Sequence, residues 1–183
     1  MRFVKRFALC APLLGLVAIV LGVPTVAFGD DDKRDFSAHF LGVNETPSIS
    51  TDATASLRLH INGSGDTATI DYTLNYSGLR APVTQSHIHF GQAKVAGGVA
   101  VFLCGTASNP GPAGTPSCGG PMSGSITGHL TSANIIGPVN QGIAAGEMGR
   151  LVKAIQDGAA YGNVHSTMFP AGETRGQLVR TDN

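Results

Sequence analysis

His87-Ile88-His89 is the segment whose residue types and spacing most plainly suit chemistry. In a strand, side chains at i and i+2 project to one face, roughly 6.5–7 Å apart at the backbone. Two imidazoles so placed can converge on one metal ion at about 2.0–2.1 Å each. His165, in the later strand-like run Tyr161 to Thr167, completes a three-histidine site if that run lies beside the first. The competing reading is that histidines on a strand face merely hydrogen-bond backbone or loop groups, and an H-x-H pair alone is a weak signal. His39 is a possible accessory if its strand is a neighbour, whereas His60 and His129 read as single surface positions.

Glu173 and Arg175 alternate onto one face late in the chain. Their plain reading is an ion pair or a set of loop-anchoring hydrogen bonds. A catalytic acid at Glu173 would lack a partner carboxylate nearby in sequence. There is no nucleotide-binding loop, nucleophile elbow or paired-cysteine zinc signature, so no catalytic residue is assigned and no organic cofactor is expected.

These side chains need strands to hold them. Ala53, Ala55, Leu57, Leu59 and Ile61 alternate with polar residues, and Ala68, Ile70, Tyr72, Leu74 and Tyr76 do the same beyond the turn residues Asn62-Gly63-Ser64-Gly65-Asp66. That pattern predicts a β-hairpin with one wet face. Further strands are expected over Phe36 to Val43, Gln85 to Phe90, Gly98 to Leu103, Ser123 to Leu130, Ala160 to Thr167 and Glu173 to Val179. About eight strands with glycine-rich turns suggest an all-β sandwich or barrel. One short helix is predicted over Gly146 to Asp157, where Met148, Leu151, Val152 and Ile155 recur at helical spacing and Gly158 stands at the stop position.

Composition bounds the setting. The chain has 183 residues, with twelve basic and twelve acidic side chains, so no charge excess points to nucleic acid or to an acidic membrane surface. Arg2, Lys5 and Arg6 precede an apolar stretch from Phe7 to Val23, and Ala27 and Gly29 frame a cleavage site. Residues 1–29 therefore read as a signal peptide, 30–35 as a charged junction and 36–183 as one domain. An uncleaved N-terminal membrane anchor is the alternative. With the leader removed there is no span left to hold the protein in a membrane. Cys104 and Cys118 are then the only cysteines, and an exported chain meets oxidising conditions, so they should form a disulfide around a proline- and glycine-rich loop. Asn44, Asn62 and Asn75 begin glycosylation acceptor patterns, which matter only in a eukaryotic secretory route.

Four blocks of the same sequence resemble the CHRD domain, named for its repeats in chordin. They are Phe36 to Pro47, Tyr76 to Leu79, Ser86 to Gly91, and Asn163 to Ser166 together with Pro170 to Leu178. The resemblance implies an immunoglobulin-like or Greek-key β-sandwich or barrel, and a binding or structural module. His87, His89 and His165 fall at the family's motif positions, and the insert closed by Cys104 and Cys118 departs from simpler members, placed where it can flank that site. A narrower likeness, to copper-zinc superoxide dismutase, is limited to the H-x-H pair and general architecture.

Three readings follow. The leading one is an extracytoplasmic binding module with copper or zinc on His87, His89 and His165, its protein or small-ligand partner unassigned. The second is a copper-dependent redox enzyme of superoxide-dismutase-like type. The third is a metal-free structural or protein-interaction domain.

Overall fold

The computed structural model describes residues 34–181. The expected leader and most of the expected charged junction lie outside them. Among the described residues are nine strands: β1 (Asp35–Leu41), β2 (Thr54–Asn62), β3 (Thr69–Ser77), β4 (Val83–Phe90), β5 (Gly98–Gly105), β6 (Gly124–Leu130), β7 (Ala160–Ser166), β8 (Thr174–Gln177) and β9 (Val179–Arg180). The one α-helix among them, α1 (Met148–Gln156), precedes β7.

All strand pairs are antiparallel and belong to one sheet in the order β5-β4-β7-β8-β1-β2-β3-β6, with β9 also on β1. The sheet rolls into a nearly closed barrel. Its two edges, β5 and β6, are bridged by side chains: the Tyr72 hydroxyl of β3 reaches the Leu103 carbonyl of β5. Tyr76 donates to the Cys118 carbonyl at 2.6 Å. The segment after β6 continues the closure where Ile136 N donates to the Ala100 carbonyl at 2.9 Å.

Period-two alternation sorts the two faces. Phe40, Leu57, Ile70, Leu74, Ile88 and Leu103 are all essentially fully buried in the interior. At the register point where Gly162 of β7 opposes Gly176 of β8, the Phe40 ring fills the space. A Cβ on Gly162 would come 2.3 Å from its Cζ, and one on Gly176 2.7 Å from its Cδ1. Both positions therefore exclude a side chain.

The predicted hairpin forms as β2 and β3, with Asn62 opposite Thr69 nearest the turn. The helix buries Met148, Leu151, Val152 and Ile155. Gly158, with φ +71°, stands just past its end, where the left-handed conformation favours glycine.

Some boundaries move. Asp35 already belongs to β1 and the Arg34 carbonyl accepts from Ile61 N at 2.8 Å, so the sheet begins inside the run read as a junction. β1 stops at Leu41 because Gly42–Asn44 turns into a short 3₁₀ helix. The single strand expected over Glu173 to Val179 divides into β8 and β9 at the buried Leu178, whose N–H turns to the Ala160 carbonyl.

Cys104 and Cys118 stand at disulfide distance, Sγ–Sγ 2.15 Å. Closing a loop of that length is worth about 3 kcal/mol in the chain-entropy account. Among the described residues, no helix is long and apolar enough to cross a membrane.

A buried histidine cluster as candidate metal centre

β4 and β7 are neighbours, and their register builds the cluster. Gln85 opposes His165, His87 opposes Asn163, and His89 opposes Tyr161. Ile88 and Val164 face the barrel core, so His87, His89, Asn163 and His165 project together from the outer wall. That wall is covered by loops. His87, His89, His165 and Asn163 are only 2%, 7%, 6% and 2% exposed.

One ligating nitrogen from each histidine lies within 4.8 Å of the others. The rings are held by backbone carbonyls. His89 Nδ1 donates to the Gly97 carbonyl at 2.9 Å, and His165 Nδ1 donates to the Pro170 carbonyl at 3.0 Å. A carbonyl oxygen can only accept, so each Nδ1 carries the proton and each Nε2 presents a lone pair. Such outer carbonyl contacts orient imidazoles as metal ligands. His165 Nε2 is 3.1 Å from His87 Nδ1. His87 Nε2 is buried without a partner.

The electrostatics keep these rings neutral. Burial pushes His87 down to about 2, helped by His165 and His89, and pushes His165 down to about 4 against the hydrogen bond to Pro170. Burial also lowers His89, with Arg175 adding to the effect and hydrogen bonds to Gly97 and Asn163 opposing it. Imidazoles that resist protonation keep their lone pairs available into acidic solution. The donor set, three neutral nitrogens, suits copper or zinc chemically.

The supporting contacts explain Glu173 and Arg175. They do not pair with each other; each anchors a loop. Arg175 donates to the carbonyls of Gln92 and Val95 at 2.8 and 2.9 Å, pinning the loop that carries Gly97. Glu173 Oε1 accepts from Thr51 Oγ1 at 2.9 Å and from Arg80 N at 2.8 Å. The insert flanks the site through one intermediary: Phe102 meets the His87 ring edge-on at 4.2 Å. Gly111 of the insert packs on Phe102 so closely that a Cβ there would lie 2.7 Å from the ring.

His39 does not join the cluster. It lies exposed on the outer face of β1, beside Ser56 of β2, with β8 between its strand and β7. His60 and His129 are surface residues, each paired with an exposed carboxylate, Asp35 at 2.8 Å and Asp71 at 2.7 Å.

Two residues of the site escaped the sequence reading. Asn163 carries no titratable signal, although its i−2 spacing from His165 placed it on the same face. Glu45 comes from the turn after β1, and its carboxyl rests against Gly172, where a Cβ would lie 2.3 Å from Oε1. Burial raises this carboxyl to about 7, opposed by Arg175, the Thr46 backbone and a hydrogen bond from the Asn163 side chain.

Fold and cluster together define a small antiparallel barrel with a loop-covered histidine centre on its outer wall. A model of the CHRD domain matches residues 36–178, and the chain belongs to that family. Comparison with curated proteins and with solved structures returned no match.

Proposed function

We propose that this chain is an exported CHRD binding module that holds one transition-metal ion, copper or zinc, on His87, His89 and His165. The observation that carries the reading is the fixed protonation of two rings: His89 and His165 each spend their Nδ1 proton on a backbone carbonyl, aiming unprotonated Nε2 atoms into one small volume. Burial favours binding over turnover, because a redox enzyme needs an open coordination position and these rings lie under loops. The buried cysteine pair at disulfide distance supports an oxidising, extracytoplasmic setting. A leader removed near Gly29 fits that setting, and the mass of the exported protein tests the cut.

Metal analysis of the purified protein after copper or zinc loading tests the centre. One ion per chain, lost in both His87→Ala and His165→Ala, supports it. No bound ion in any preparation leaves a structural or protein-interaction module. If copper binds, superoxide dismutation no faster than by free copper keeps the binding reading over the enzymatic one.

A further inference from the structure

The side-chain oxygen of Asn163 stands 3.1 Å from His89 Nε2 and 3.0 Å from His165 Nε2. Both nitrogens are proton-free, since each ring has already donated at Nδ1. His89 Nε2 and Asn163 Oδ1 thus face each other lone pair to lone pair in a buried space, while His165 Nε2 has His87 Nδ1 as well at 3.1 Å. Such an arrangement is unfavourable unless a cation sits among them.

Turning the amide over would put its N–H groups on the two imidazoles. It would also turn Oδ1 toward Glu45, a buried carboxyl whose pKa the Asn163 amide helps to hold down. Glu45 in turn is wedged against Gly172, a residue at φ +131° where no side chain fits. The amide oxygen is the atom directed at the histidines.

Half of the donor separations already approach those of one ion. A tetrahedral ion with bonds of about 2.0–2.1 Å sets its ligand atoms about 3.3 Å apart. Three of the six separations among the four donors, from Asn163 Oδ1 to His89 and His165 and from His165 to His87, are 3.0 to 3.1 Å, and the histidine donors spread to 4.8 Å, so an ion would draw them inward. Adding Asn163 gives four donors where the histidines alone give three.

We propose that Asn163 Oδ1 is the fourth ligand of the metal centre. This rests on the metal reading above. The resulting set of three imidazoles and one amide oxygen is neutral.

The test compares the wild-type protein with Asn163→Leu, Asn163→Asp and His165→Ala, titrated with zinc and with cobalt(II) as a spectroscopic probe. Asn163→Leu should bind zinc at least about tenfold more weakly and change the cobalt visible spectrum, because the ion loses a ligand. Asn163→Asp should bind at least as tightly as wild type, with shifted cobalt bands, because a carboxylate replaces the amide oxygen. Wild-type affinity and an unaltered cobalt spectrum in the Asn163 variants, with binding lost in His165→Ala, would overturn the fourth-ligand assignment while leaving the three-histidine centre. Failure of the wild-type protein to bind either ion would overturn both. If Asn163→Leu does not fold, as judged by circular dichroism, the Asn163→Asp spectrum decides alone: shifted bands support the assignment and unshifted bands overturn it.

Discussion

The guanidinium carbon of Arg175 lies 3.4 Å from the centroid of the Tyr161 ring. Tyr161 stacks on His89 with centroids 4.7 Å apart and planes 6° from parallel. A cation, a phenol and an imidazole thus form one pile on the outer wall of the barrel, rooted in three neighbouring strands, β8, β7 and β4. The same guanidinium holds the carbonyls of Gln92 and Val95, so it fixes both the face of the His89 ring and the loop that receives its Nδ1 proton.

Arg175→Lys should therefore weaken the site without touching a ligand. Lysine keeps the charge but loses the planar fork and the stacking surface. The expected result is about a tenfold loss in zinc affinity, together with about 1–3 kcal/mol of stability. Isothermal titration and denaturant unfolding measure the two. Unchanged affinity would mean that the pile does not set the orientation of His89.

Acidification should destabilise the metal-free protein from about neutral pH downward. His87 and His165 are held at about 2 and about 4, below their ordinary value of 6.5, and His89 is lowered as well. Below pH 6.5 the unfolded chain takes up protons at these positions while the folded chain does not. Stability is then complete above 6.5 and falls as pH drops toward 4, by about 1.4 kcal/mol per pH unit for each imidazole that stays neutral.

Glu45 acts in the opposite sense. Its folded value of about 7 lies above its ordinary 4.5, so it contributes stability at low pH that is lost as pH rises through 7. One carboxyl opposes three imidazoles, so the balance gives a maximum near pH 6.5. Urea unfolding from pH 4 to 8 checks this, and a flat profile between 6.5 and 4 would contradict neutral burial of the rings.

Gly162→Ala should cost about 1–3 kcal/mol, the usual range for forcing a methyl group into a packed core. The added carbon would collide with Phe40, whose buried ring has nowhere to move. Phe40→Leu in the same chain should recover part of the loss by vacating ring volume. Equal stability of Gly162→Ala and wild type in urea would show that Phe40 can swing aside.

Much of this architecture was visible in residue order. Alternation alone located β2, β3 and their turn, and the same period placed His87 and His89 on a common face. The same period turns His39 to the outer face as well, so only the strand order, with β8 between β1 and β7, keeps it from the cluster. Whether β7 lies beside β4 is a matter of long-range pairing that no local pattern encodes. The choice between sandwich and barrel is of the same kind, because it depends on how the sheet edges meet through Tyr72 and Tyr76. Asn163 and Glu45 were hidden for different reasons: the amide is chemically silent in a sequence, and the carboxyl reaches the site from a turn that no periodicity describes.

The central claim is that one ion sits among His87, His89 and His165, and anomalous diffraction from crystals of the zinc- or copper-loaded protein locates it directly. The account predicts a single strong peak about 2.0–2.1 Å from one nitrogen of each ring. No peak there, or a peak only at the exposed histidine and aspartate pairs around His60 and His129, would contradict it.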